Sequence, residues 1–310
     1  MTTYDAAGIA EFEKIAVRPQ RNLWSDAFRR LRRNHLAMVA LVLLATITIL
    51  AFAADYVSNI ERYNPYDDQD FSRIQEGPSW DHFFGTDNLG RDNWARVLAG
   101  VRISLQIAIG TQIVVVTLGV LVGSLAALGG RTIDNLLMRA TDIAYAFPDL
   151  LFIILMRAVL LDSSAPVVSD ERVQIILAIG LINWTTLARL VRGQMLSLHE
   201  RDFVTAARAM GARRGRIVAL HMLPNTLGPV IVAVTFGIPL AIFAEAALGF
   251  LGFGLTPPTA SLGRLVSDGY AYIQTNTWIV VFPAASIATL MLCFTFIGDG
   301  LRDALDPRSR

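Results

Sequence analysis

Residues able to do chemistry are few and widely spaced in this 310-residue sequence. The four histidines, His35, His82, His199 and His221, lie far apart, which argues against a shared metal site. A single cysteine, Cys293, excludes an intrachain disulfide and any cysteine-based zinc centre. Lys14 is the one lysine among 27 basic residues, and Ile15 follows it, so no Gly-x4-Gly-Lys-Ser/Thr phosphate loop exists. His-Glu-x-x-His and Gly-x-Ser-x-Gly are also absent. Asp81, Asp87, Asn88 and Asp92 form a loose acidic group without the EF-hand spacing, and a capped surface helix accounts for them better. The chain is therefore expected to be no enzyme, with no catalytic residue, metal site or cofactor of its own.

What remains is ionisable residues inside apolar runs, where a charge is costly unless it faces a partner or water. Glu245 is the clearest case. It can be a translocation-path or gate residue that meets a cationic group, or it can make a helix-packing hydrogen bond near the outer interface. Asp142 and Asp149 interrupt another run and are candidates to line the same path. Arg139 and Asp142 are three apart, so they can instead pair along one helix face. Gly237 and Pro239 loosen the Glu245 run near its middle, as happens where helix backbone lines a cavity or packs on protein.

One polar stretch stands out against these runs, from Phe203 to Asn225. Phe203, Ala206, Ala207 and Met210 fall on one stripe of a short helix. Asp202 can cap its start and Gly211 can end it. Arg213, Arg214 and Arg216 open a second polar turn before Pro224. An ordinary amphipathic loop helix shows such a stripe, and so does a face built to dock on another protein.

The elements that position these residues are membrane spans. Mean hydropathy is +0.48, and 54% hydrophobic residues displace the soluble one- or two-domain reading that length alone allows. A net charge of +1 gives no bulk electrostatic case for nucleic acid. Residues 1–35 are polar and end in Arg29, Arg30, Arg32 and Arg33, which with Trp24 and Phe28 predict an amphipathic helix at the inner surface. The first span, 36–54, is charge-free and close to the ~20 residues that cross a bilayer. Ala51-Phe52-Ala53 resembles a signal-peptidase site, but the long start and long apolar core predict a retained anchor. Further spans are Ile103–Leu128, Val173–Leu190, Leu227–Gly254 and Trp278–Ile297. A sixth, near Ile133–Leu161, is broken by Pro148-Asp149. Its inclusion puts 19 basic residues on the inner side, the Arg189–Arg216 cluster among them, and eight on the outer side. Both termini and a 191–223 loop are then cytoplasmic, 55–102 is an external loop, 103–300 a five-helix core and 301–310 a tail. In the external loop, Asp92 is expected to cap a helix that Gly100 closes.

The 203–225 stretch also resembles the cytoplasmic loop of ATP-binding-cassette importer permeases. That pattern is Glu-Ala-Ala, three residues, Gly, nine residues, apolar-x-Leu-Pro, and Ala206, Ala207, Gly211, Leu223 and Pro224 match it. Thr205 stands where the family has Glu, and His221 where an apolar residue is usual. FGTDNLGRD, GGRTIDNLLMRATDIAYAFPDLL, ARLVRGQMLSL, EAALGFLGFGLTPP and GDGLRDALDPR are similar to the peptide-importer subfamily (oligopeptide, dipeptide and nickel permeases), and to its second permease in particular. Leu262 departs where the family commonly has Trp. The resemblance covers roughly Leu23 to Arg308.

It implies an all-α polytopic protein with six transmembrane helices, the type I importer permease fold, and a cytoplasmic coupling helix. Phe203, Thr205, Ala206, Ala207, Met210, Gly211, Leu223 and Pro224 are then the ATPase-coupling residues. Implied partners are a second permease, two cytoplasmic ATPases carrying ATP and Mg, an external peptide-binding protein and the lipid bilayer of a bacterial inner membrane. Nickel-chelate and glutathione importers share the pattern. A self-sufficient secondary carrier, which needs repeats and mid-membrane ion sites, and a membrane scaffold without transport are the rival readings.

Overall fold

The structure is a computed structural model that describes residues 23–57, 69–161 and 168–305. Expectations about residues 1–22, 58–68, 162–167 and 306–310, the two chain ends among them, fall outside this range. Eleven α-helices follow one another among the described residues, which contain no β-strand beyond a single bridge between Thr86 and Asp92.

α1 (Leu23–Leu31) carries Arg29 and Arg30, the first half of the arginine cluster, and exposes Phe28. Asn34 then accepts the Ala37 N–H at 3.2 Å and starts α2 (His35–Val57). α3 (Asn93–Leu128) has 36 residues. At 1.5 Å per residue it reaches roughly 54 Å, well beyond the ~30 Å hydrocarbon core. Asp92 caps it through the Ala95 N–H at 2.8 Å, but Gly100 does not close it. An interior glycine costs a helix only about 1 kcal/mol. Here it also makes room, because a Cβ at Gly100 would sit 3.1 Å from the Leu262 nitrogen.

The third span is a bent pair. α4 (Gly130–Tyr145) and α5 (Asp149–Leu161) meet at 92° across Ala146-Phe147-Pro148, where proline cannot continue the helical ladder. With this pair counted as one span there are up to six helices long and apolar enough to cross a membrane, and five without it. α6 (Glu171–His199) follows, then the short α7 (Asp202–Ala209) and α8 (Arg214–Ile217). A π-turn over Val218–Met222 feeds α9 (Leu223–Phe250), which tolerates Pro229 and Pro239. α10 (Leu262–Tyr270) and α11 (Trp278–Leu305) complete the chain.

The central seam joins α3 to α6. Gly119 and Gly123 on α3 form a Gly-x-x-x-Gly step facing α6. A Cβ at Gly123 would lie 2.5 Å from the Ala188 carbonyl oxygen, and one at Gly119 2.8 Å from Leu187. Gly180 on α6 admits Val114 at a similar distance. In lipid the hydrophobic effect does not pull helices together, so such close approach is what holds them.

Polar ties lie beside both ends of the seam. Near the α3 N-terminus, Asp87 is buried and accepts the Leu89 and Arg91 N–H groups at 2.8 and 2.9 Å. It also pairs with the guanidinium groups of Arg91 at 2.8 Å and Arg96 at 2.5 Å. Phe84 stacks on Phe282 of α11 at 3.9 Å, which lays the 69–92 segment over the bundle. At the opposite end, Arg192 of α6 holds Asp134 of α4 with two bonds of 2.5 and 2.6 Å.

Removing Asp87 should therefore leave the buried Arg91 without a carboxylate and Arg96 with only Asp268 at 3.7 Å, at a cost of roughly 3–5 kcal/mol. Asp87→Ala is expected to lower the heat-unfolding midpoint of the detergent-purified protein and to open the 69–92 segment to protease. An unchanged midpoint and digestion pattern would remove this anchor from the account.

Candidate functional site

α7 forms because Asp202 through Ala209 has no helix breaker until Gly211. Asp202 is its first residue rather than its cap; Arg201 holds the cap position, without a side-chain bond. The other end is a complete Schellman closure. Gly211, at φ +81°, donates to the Arg208 carbonyl at 3.0 Å, and Ala212 donates to that of Ala207 at 3.1 Å.

Docking of α7 onto the bundle splits the expected stripe. Val204 and Ala207 are buried against Met195 and Val191 of α6 and against Ile217, Val218 and Met222. Ala207 is thus part of the protein's own core and not of the outward face. Its place on the stripe held in sequence, but the helix is rotated so that α6 and the π-turn cover it. Phe203, Thr205, Ala206 and Met210 stay exposed, with Met210 at 83%. Leu223 is half-buried at the start of α9, Pro224 is exposed, and His221 is an exposed residue of the π-turn. α7 is consequently one body with the ends of α6 and α9, with a small apolar face turned out between Arg201, Arg208 and Arg213.

The intramembrane acids separate. Asp142 pairs with Arg189 of α6 at 3.0 Å, not with Arg139, and Arg189 also lies over the Tyr145 ring at 4.3 Å. The local spacing allowed an Arg139 pair, but α4 turns Asp142 toward α6. Asp149 is exposed at the start of α5, just past the bend. Glu245 is wholly buried where α3, α9 and α10 cross, and Ser104 donates to its Oε2 at 2.7 Å. The buried Ser261 hydroxyl lies beside the same carboxyl. Backbones meet around it, since a Cβ at Gly263 would fall 2.5 Å from both Cα and O of Ala246. Leu262 in this crossing is completely buried.

Two cavities matter. One of 340 Å³ lies between α3, α6 and α9 near mid-length, beside Gln112, Asn183, Thr186 and Gly237. Another of 610 Å³ is bordered by Arg102, Gln106, Glu171, Arg172 and Thr256. Neither is lined by Glu245, Asp142 or Asp149. Sequence reasoning passed over the first set because lone amides and hydroxyls barely dent a hydropathy average. It also passed over Arg157. That side chain is buried, donating to Gln174 at 2.6 Å and to the Gly254 carbonyl at 3.0 Å, and so ties α5 to α6 and to the end of α9. Among the described residues no cluster of three or more His, Cys, Asp or Glu could hold a metal ion.

The crossing around Glu245 is testable on its own. Gly263→Ala should force backbone apart at a cost of about 1–3 kcal/mol. A lowered heat-unfolding midpoint in detergent is the expected result. An unchanged midpoint would mean that the helices are not held this closely.

Comparison with known proteins agrees with this architecture. The family described as "Binding-protein-dependent transport system inner membrane component" matches residues 119–310, and "N-terminal TM domain of oligopeptide transport permease C" matches residues 22–78. The chain is 39% identical over 305 residues to the oligopeptide transport system permease protein OppC of Bacillus subtilis, covering 98% of this chain and 96% of that one. It is 39% identical over 287 residues to the dipeptide transport system permease protein DppC of Alkalihalophilus pseudofirmus, covering 93% and 90%. Identity to OppC of Escherichia coli K12 is 38% over 300 residues, covering 96% and 95%. A chain of the inward-facing MetNI methionine ABC transporter superposes with a TM-score of 0.54 at 22% identity, over 68% of this chain and 96% of that one. At that identity the likeness speaks for the fold, which is that of a type I ABC importer permease. From its helices to its loop motifs, the chain belongs to the family of binding-protein-dependent transport system inner membrane components.

Proposed function

We propose that this multi-pass membrane subunit forms half of the translocation pore of an ATP-driven peptide importer, with α7 as its coupling helix. Its relatives in the family are oligopeptide and dipeptide permeases, matched over nearly their full length. An ABC importer permease works with a partner permease and with ATPase subunits. The finer assignment is a second, homologous permease, two cytoplasmic ATPases that carry ATP and Mg, and an external peptide-binding protein. The membrane is the bacterial inner membrane, with the α7 side and both termini facing the cytoplasm.

The observation that carries this reading is the two-faced packing of α7. Val204 and Ala207 fix it to α6 and to the root of α9, while Phe203, Ala206 and Met210 face outward. Closure of the ATPases on ATP would push on the outward face. The push then reaches α6 and α9 as a rigid displacement, because packed interiors transmit strain. The spans attached to them rock between inward- and outward-open states. By linkage, delivery of substrate on the outside biases the ATPases in return. Gly211 keeps its importance as the positive-φ closure of α7; Thr205 offers a neutral hydroxyl where the family pattern has a carboxylate. The buried, hydrogen-bonded setting of Glu245 favours a packing role over a gate. Asp142 is engaged by Arg189, which leaves Asp149 as the acid nearest the bend with freedom to meet solute.

A charge placed on the outward face should block docking and spare the fold. Phe203→Asp and Met210→Asp are expected to insert normally but to weaken ATPase retention by on the order of 100-fold. ATP-driven peptide uptake in reconstituted vesicles should fall with it. Full retention and uptake in both variants would end the coupling claim, and uptake without ATP would favour a secondary carrier.

Orientation has its own measurement. In a Cys293→Ala background, Trp80→Cys places a thiol at a position that is 92% exposed, a better external reporter than the buried Asp87. An impermeant maleimide should label it in intact spheroplasts. Arg213→Cys should react only after permeabilisation, and the reverse pattern would invert the topology.

A further inference from the structure

The 340 Å³ cavity at mid-length of α3, α6 and α9 contains an unusual set of polar groups. Gln112 is only 7% exposed, yet its carboxamide makes no hydrogen bond to any described residue. Thr111 beside it is fully buried, and its hydroxyl has no partner. Among the described residues Ser124 is the other buried hydroxyl without a partner. Thr46, Thr117, Thr235, Thr289 and Thr295 all return their hydroxyls to the carbonyl four residues back, at 2.7–2.9 Å. Asn183 donates to the Ile179 carbonyl at 2.9 Å and leaves its Oδ1 without a donor. Thr186, which is exposed, adds another hydroxyl to the cavity wall.

A buried hydroxyl without a partner, as at Thr111, is rare and points to a missing one. The position of Gln112 is built rather than incidental. Gly237 of α9 faces it so closely that a Cβ there would lie 2.5 Å from Oε1 and 2.9 Å from Nε2. The glycine therefore leaves a slot for the amide. No charged residue borders the cavity, so it is not suited to hold a peptide's termini or ionised side chains. A carboxamide both donates and accepts, which is the pattern a peptide group presents in reverse. The volume lies in the ordinary range of small-ligand sites, about 300–1,000 Å³.

We propose that Gln112, supported by Thr111, Asn183 and Thr186, is a peptide-bond station in the translocation path. Gln112 donates to a passing substrate's peptide carbonyl and accepts from its N–H. Because every peptide carries that group, the station recognises peptides without selecting their side chains. This rests on the peptide-import reading above, and adds to it the residues and the chemistry of the contact.

The test uses the complete reconstituted complex with its own binding protein in every arm. ATP-driven uptake of tri-alanine is compared with that of tri-alanine whose peptide nitrogens are N-methylated, for the wild type and for Gln112→Met. Methionine keeps the length and apolar volume and removes the hydrogen bonds. The wild type should prefer tri-alanine, and Gln112→Met should cut its uptake by about three- to tenfold, as loss of one neutral hydrogen bond implies. The preference over the N-methylated peptide should shrink by the same factor. Because the amide has no partner within the chain, heat stability and ATPase retention should stay level or rise. Gly237→Ala, which crowds the carboxamide out of its slot, should give the same shift in preference. Unaltered uptake and preference in Gln112→Met would overturn the inference alone. So would a loss of uptake that follows a loss of stability or of ATPase retention, since Gln112 would then be a packing residue. Absence of ATP-driven uptake of any peptide by the wild type would instead sink the import reading, and this station with it.

Discussion

The glycine seam between α3 and α6 is the contact on which the rest of the structure depends. Lipid gives two apolar helices no hydrophobic reason to associate, so association rests on contact area and close approach. Gly119, Gly123 and Gly180 supply that approach. α3 carries the 69–92 segment through Asp87 and Asp92, and α6 carries α7 on its opposite end.

Charge is distributed to suit this arrangement. The buried or half-buried charges near the span ends, such as Asp87 with Arg91 and Arg96 or Arg192 with Asp134, have close partners. Arg157 is satisfied by the carbonyl oxygens of Phe253 and Gly254 after α9, by the Glu171 carbonyl and by the Gln174 amide oxygen. These ties make the ends of the bundle stiff. Mid-length is different, because neutral amides and hydroxyls there border open space and no charge crosses it. A path for peptides of many kinds benefits from that neutrality: a fixed charge would hold some substrates and repel others.

Much of the helical layout was legible in the sequence, because long charge-free runs, caps and breakers are local properties. The positive-φ closure at Gly211 and the helix start after Asp92 were readable for that reason. The break at Pro148 was also visible, though not its 92° angle. By contrast, the helix expected to stop at Gly100 runs on, since whether a glycine ends a helix depends on what packs beside it. The loop motif around α7 and the stretches along the rest of the chain pointed to the importer family on their own.

Rotation and partnership were decided by the tertiary structure alone. A stripe of Phe203, Ala206, Ala207 and Met210 is one surface in an isolated helix. Contact with Met195 and Met222 takes Ala207 away from it and leaves the others outside. Asp142 had a neighbour at helical spacing in Arg139, but the approach of α6 gave it Arg189 instead. Gln112 is a polar residue within an apolar run of α3, and the approach of α9 sets Gly237 against it. A sequence determines which residues can share a helix face, because that follows from the helical period. Which of those faces meets protein, lipid or open space depends on contacts between residues far apart in the chain, and only the folded bundle brings them together.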